Sequence, residues 1–229
     1  MVTATKIQPA INNAQQPNLI YYIRVVFKLK LHKSYLAVLF ALLVCLESTA
    51  QNLDIDILRN INHNRNTALD LTFKTVTNSV FPMAIGVPAA VTTLYLLNKD
   101  SANKQRAIII GGTLIISSAI TGILKYSIHR ERPFVTYPDI KHIKPEDSYS
   151  FPSGHTSTAF ALATSVTIAY PKWYVAAPAY LWASTAAYSR MHLGVHYPSD
   201  VLAGALIGSG SAWLCYKLNM RLQQRKKMK

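Results

Sequence analysis

The chain has 229 residues, of which 50% are hydrophobic and 15% charged; a soluble domain carries roughly 25% charged residues. That balance excludes an ordinary soluble protein and fits one embedded in a membrane. The net charge of +14 does not indicate nucleic acid, because the basic residues form no aromatic-interleaved face and gather instead at the ends of apolar segments.

The first 32 residues are polar and irregular and run into a basic cluster of Arg24, Lys28, Lys30 and Lys33. Tyr35 to Leu46 is a dozen apolar residues, and Ser48 and Ala50 stand three and one positions ahead of a cut before Gln51. Basic, apolar, then small-x-small is the pattern of a secretory signal peptide, and the apolar core is short for a span of about 30 Å. The basic region is long for such a peptide, which leaves two alternatives: translation starts nearer Leu31, or the segment stays attached as an anchor. Cys45 and Cys215 both lie inside apolar runs, where a thiol is a small hydrophobe, so neither a disulfide framework nor a metal cluster is expected.

Gln51 to Asn78 mixes Leu and Ile with Asp54, Asp56, Arg59, Arg65 and Asp70, which predicts amphipathic helical segments at a surface. Five apolar stretches follow, Val80–Leu97, Ala107–Leu124, His155–Tyr170, Trp173–Tyr188 and Val201–Leu218. All are near the lower end of the about 17–25 residues a membrane helix needs. The third and fourth carry several Ser and Thr, so they are expected to face a bundle interior. The fold expected is all-α, a membrane-embedded bundle of about five core helices behind the signal-like segment. Its divisions are 1–50 for the N-terminal extension, 51–78 for the amphipathic segment, 79–220 for the catalytic domain and 221–229 for a basic tail.

Basic residues set the orientation. Lys99, Lys104 and Arg106 lie in the link Asn98–Arg106, Lys172 in the turn after Tyr170, and Lys217, Arg221, Arg225, Lys226, Lys227 and Lys229 in the tail. The positive-inside rule makes these cytoplasmic, and alternation of five spans puts residues 126–154 and 191–199 on the opposite side. Smaller features receive plain readings. Gly204-x-x-x-Gly208, with Gly210 beyond it, is expected to pack helices within the chain. His129 and His142 are expected to be solvated, Glu146 and Asp147 to be solvated loop charges or to shape the mouth of a site, and Tyr170, Trp173, Tyr174 and Trp182 to anchor at the interface.

Three stretches share the outer side: Lys125-Tyr-Ser-Ile-His-Arg-Glu-Arg132-Pro133, Pro152-Ser-Gly-His155, and Ser189-Arg-Met-His-Leu-Gly-Val-His196-Tyr-Pro-Ser-Asp200. A Lys and two Arg supply fixed positive charge and forked donors for a tetrahedral dianion, while two His and an Asp four positions after one of them supply a nucleophile, an orienter and a proton donor. In order and spacing these stretches resemble the signatures of the type 2 phosphatidic acid phosphatase family, which shares its fold with the vanadium haloperoxidases. The resemblance covers Lys125 to Asp200 and the flanking helices, without a departure in the three signatures.

The resemblance implies a metal-independent lipid phosphatase without a cofactor. In it, His196 attacks phosphorus and becomes a phosphohistidine, Asp200 orients it, and His155 is general acid and then base. Lys125, Arg132 and Arg190 hold phosphate oxygens together with the backbone N–H groups of Ser153 and Gly154 at a helix N-terminus. The implied partners are a lipid phosphate and the membrane, with no nucleic acid and with the oligomeric state left open. The implied location is a bacterial inner membrane with the site facing the periplasm. Undecaprenyl pyrophosphate ranks ahead of lipid A phosphate as substrate, and phosphatidate below both. Two alternatives stand beside this reading: a vanadium-dependent haloperoxidase, and an inactive phosphate- or lipid-binding relative.

Overall fold

The computed structural model describes residues 53–143 and 146–228. The signal-like stretch Tyr35–Leu46, the cut before Gln51, Cys45 and Lys229 lie outside the described residues.

Helix α1 runs over residues 53–63 and turns Ile55 and Leu58 into a small core with Ile140 and Tyr197. A single 3-10 turn, Thr67–Leu69, leads into α2, Asp70–Asn78, and directly into α3, Val80–Asn98. Helix α4 is Ser101–Ile128, and a single turn, α5, covers Pro133–Thr136. Three further helices complete the described chain: α6, Gly154–Ala169; α7, Trp173–His192; and α8, Pro198–Lys227. The five expected apolar stretches are thus α3, α4, α6, α7 and α8.

Among the described residues, three segments are long and apolar enough to cross a membrane: Thr67–Asn98, Ser101–Thr136 and Pro198–Arg225. Helix α6, at 16 residues, is short for that. It is instead the buried center of the bundle, packed on α4, α7 and α8, as its Ser and Thr content implies. Thr121 Oγ1 of α4 donates to Ser157 Oγ at 2.9 Å, and Thr164 Oγ1 lies 3.0 Å from the Tyr180 hydroxyl of α7. Where the sequence reading expected an Asn98–Arg106 link, the chain turns within two residues. Asp100 accepts from the Ala102 N–H and caps α4 six residues earlier than expected, as a short carboxylate at a helix start does.

Small residues bring α6 and α8 into backbone contact. A Cβ on Gly208 would lie 2.3 Å from the Ser157 carbonyl oxygen, and one on Gly204 2.8 Å from that of Ser153. Gly204-x-x-x-Gly208 therefore packs within the chain, as expected, whereas Gly210 has open space around it. This contact holds the start of α6 beside the start of α8. At the opposite end of the bundle the Arg106 guanidinium lies 4.7 Å from the center of the Tyr170 ring and its Nε donates to the Ala169 carbonyl, so the basic link and the turn after α6 lie together. Trp173 and Tyr174 are exposed there, but Trp182 is turned inward and donates its Nε1–H to Ser79 Oγ at 3.0 Å. It is a packing residue, not the interfacial anchor expected.

Candidate active site

The sequence motifs converge at the ends of α4, α6, α7 and α8. Arg132 follows α4 and is held in extended backbone by Pro133, which starts α5. Arg190 sits in the last turn of α7. The chain then reverses through Gly194, whose φ of +71° and backbone 2.4 Å from any added Cβ fit only glycine. That reversal presents His196 just before α8, and Asp200 enters the first turn of α8, where its Oδ2 accepts from the Tyr197 N–H at 3.0 Å.

His196, Asp200, Arg132 and Arg190 are all 3% exposed or less, so their charges need partners to be tolerated. Nδ1 of His196 lies 3.4 Å from Asp200 Oδ2, a long contact, and the same oxygen accepts from Ser150 Oγ at 2.5 Å. Nε2 of His196 faces Arg132 Nη1 at 3.3 Å. Burial, opposed by the hydrogen bond and charge of Asp200, lowers the imidazole to about 4, so His196 is neutral at pH 7 and Nε2 carries a lone pair when Nδ1 holds the proton. His155 is partly buried in the first turn of α6, with the Phe81 ring edge-on at 4.8 Å. Lys125 donates its Nζ–H to the Tyr149 carbonyl.

One expected donor is committed elsewhere. The Ser153 N–H donates to the Asp200 carbonyl at 3.1 Å, and the Ser153 hydroxyl caps α6 by accepting from Thr156. Ser153 therefore positions the helix start, and Gly154, with the adjacent His155, contributes the first-turn N–H groups that lack intrahelical acceptors.

Four residues missing from the expected set complete the arrangement. Arg130 Nη1 donates to Asp200 Oδ1 at 2.7 Å and its Nη2 to Asp54 Oδ2 at 2.7 Å, while its guanidinium lies 3.8 Å from the center of the Tyr197 ring. Asp54, from α1, also accepts from the N–H and hydroxyl of Ser199. Thr77, from α2, accepts from Arg190 Nη1 at 3.0 Å. Glu146 was expected as a solvated loop charge or a mouth residue. It is 28% exposed in its side chain, its Oε2 lies 2.7 Å from Arg132 Nη2, and its Oε1 accepts from Arg190 Nη2. Burial alone would raise this carboxyl, but Arg190 and Arg132 outweigh it and hold it down to about 2. His129 and His142 are exposed, as expected; His129 meets the Tyr149 ring edge-on and His142 stacks on Phe134.

The signal that could have marked Glu146 is its rarity: the chain has 24 Lys and Arg against 10 Asp and Glu, and this acid lies between two cationic motifs. Arg130 lies inside the first motif, between Lys125 and Arg132, where the motif's Lys and Arg-Pro drew the assignment instead. Asp54 and Thr77 carry no sequence signal, since their partners are 76 and 113 positions away.

Comparison with known proteins bears on this cluster. The PAP2 superfamily profile matches residues 106–224, more than half of the chain. The lipid A 4'-phosphatase of Bacteroides thetaiotaomicron is 37% identical over 97 residues, covering 41% of this chain and 43% of that protein. The undecaprenyl-diphosphatase of Sulfolobus acidocaldarius is 35% identical over 140 residues, covering 56% and 61%. The match therefore spans roughly half the length of these curated relatives. Among solved structures, Aquifex aeolicus LpxE superposes with a TM-score of 0.62 at 27% identity, covering 72% of this chain and 95% of that one. A transmembrane PAP2-type phosphatidylglycerolphosphate phosphatase from Bacillus subtilis superposes with a TM-score of 0.61 at 23% identity, covering 76% and 87%, which is a likeness of fold.

Proposed function

Since the chain belongs to the PAP2 superfamily, we propose that it is a membrane lipid phosphatase that removes a terminal phosphate through a phosphohistidine on His196. The observation that carries this reading is the direction of the His196 ring. Nδ1 faces the Asp200 carboxylate, and Nε2 faces the guanidinium side of the site, beside Arg132. A nucleophile directed at fixed cations is what transfer of a phosphoryl group to nitrogen requires.

The steps follow from these positions. Arg132, Arg190 and Lys125 hold the phosphate oxygens, helped by the N–H groups at the start of α6. Arg190 has a further donor to give, because its buried Nε makes no hydrogen bond among the described residues. His196 Nε2 attacks phosphorus as the bond to the leaving oxygen breaks, and Asp200 stabilizes the positive charge that develops on the ring. His155 gives its proton to the leaving oxygen, then accepts one from the water that cleaves the phosphohistidine and releases inorganic phosphate.

The substrate class is a lipid whose tail stays in the bilayer and whose terminal phosphate reaches the end of the bundle. Undecaprenyl diphosphate and lipid A phosphate are the leading members, supported by the activities named for the two curated relatives. The charge pattern supports an inner-membrane protein with the site facing the periplasm. The test is purified protein in mixed micelles with undecaprenyl diphosphate, a lipid A phosphate and phosphatidate, followed by phosphate release. Release from the first two at rates above the third is expected. No release from any of them, or a vanadate-dependent bromide oxidation in its place, would overturn the reading.

A further inference from the structure

Glu146 has no part in those steps, yet it engages both arginines assigned to the substrate. Its two oxygens reach Nη2 of Arg132 and Nη2 of Arg190, which is how two oxygens of a phosphate would bridge the same donors. Arg132 has nothing else to offer. Its Nε and Nη2 donate to the carbonyl and hydroxyl of Ser148, and its Nη1 to the Val195 carbonyl and toward His196 Nε2. A phosphate therefore gains Arg132 Nη2 and Arg190 Nη2 only by displacing Glu146.

Resting on the assignment of Arg132 and Arg190 to the phosphate, we infer that Glu146 is an intramolecular anion competitor that keeps phosphodiester headgroups of the surrounding bilayer out of the site. A tethered ligand acts at an effective concentration of about millimolar or above. It raises the dissociation constant of every external anion by one common factor, since each binds only the fraction of molecules from which Glu146 has withdrawn. The consequence differs by substrate. A terminal phosphate near neutral pH carries about −1.5 to −2 charge and three acceptor oxygens, so it retains useful affinity after that common penalty. A phosphodiester carries one charge on two free oxygens, no more than the carboxylate it must replace. It falls below occupancy although diester lipids surround the protein.

The experiment uses the full chain in detergent and titrates inorganic phosphate and dimethyl phosphate by calorimetry, at a pH where inorganic phosphate is mainly the dianion. Glu146→Gln is expected to bind both anions about fivefold or more tightly than wild type, by the same factor for each. Turnover of a lipid phosphate by Glu146→Gln then becomes sensitive to added phosphatidylglycerol, while wild type stays insensitive. Unchanged or weaker anion binding overturns the inference, because it makes Glu146 an organizer of the arginines rather than their competitor. A factor that differs between the two anions overturns it as well. Should Glu146→Gln not fold, Glu146→Asp serves: its shorter chain spans the two guanidiniums poorly, so tighter phosphate binding is expected, and wild-type affinity overturns the inference. Arg190→Ala separates the two levels of argument. It is expected to lose phosphate binding; if it binds as wild type does, the phosphate site is misassigned and the proposed function fails with it.

Discussion

Arg130 holds Asp200 through the carboxylate oxygen that His196 does not use: Nη1 meets Oδ1 at 2.7 Å, while the histidine faces Oδ2 at 3.4 Å. The carboxylate is 0% exposed, so its charge persists because Arg130, Ser150 and the Tyr197 N–H all stabilize it. Arg130→Gln should lower kcat about 10- to 100-fold, the range that outer partners of catalytic groups carry, with little change in KM. The measurement is the kcat and KM split on one lipid phosphate, with Asp54→Asn giving a smaller effect in the same direction. A change confined to KM would show that Arg130 binds substrate instead.

His196→Ala should abolish turnover and any acid-labile phosphoenzyme. Asp200→Asn should still bind inorganic phosphate but turn over about 10³-fold or more slowly, through the wrong ring tautomer. Quenched-flow trapping of labeled phosphate on the protein checks both, and a trapped phosphoenzyme in His196→Ala refutes the nucleophile assignment.

Gly208→Ala places a methyl carbon 2.3 Å from a backbone oxygen of α6, which can yield only by moving the helix. A loss of about 1–3 kcal/mol is expected, seen as a lower Tm in detergent. Activity should fall further than stability, because α6 carries His155. Gly210→Ala, with nothing within 4 Å, is the control and should be neutral or stabilizing by up to about 1 kcal/mol.

Stability should depend on pH through Glu146. Its carboxyl is lowered from 4.5 to about 2 in the folded protein, so the folded state favors the charged form. The contribution is present in full above the unfolded value and is lost as pH falls through the interval between 4.5 and about 2. The Tm difference between wild type and Glu146→Gln should therefore be constant near neutrality and shrink below about pH 4.5. A difference that grows on acidification contradicts the pairing with Arg132 and Arg190.

The helices were legible because apolar runs and basic flanks are local properties, and the motif residues because their chemistry is compressed into short spacings. The start of α4 was placed six residues late, since one capping side chain, Asp100, outweighed the polar look of Lys104 and Arg106. Ser153 was misread for a similar reason: an N–H at a helix start looks free in sequence, but the α6–α8 glycine contact brings the Asp200 carbonyl to it. Trp182 was read as an interfacial anchor, and Glu146 as a solvated charge or a residue at the mouth of a site, because their partners, Ser79, Arg132 and Arg190, are distant in sequence. Ion pairs closed by tertiary packing have no period to detect.

The polar ties between the N-terminal segment and the signature region also bear on chimeras. Asp54 holds Arg130, Asp70 lies 2.8 Å from His192, and Thr77 holds Arg190, so each tie joins a residue before position 79 to one inside 106–224. A hybrid that borrows only residues 106–224 from this chain would import three buried or half-buried cationic or ionizable groups, each short of one partner: Arg130 would keep Asp200 and Arg190 would keep Glu146, but Asp54, Asp70 and Thr77 would be gone. Exchanges with relatives should be cut ahead of residue 53, where the donor brings its own carboxylates and hydroxyl with the groups they steady.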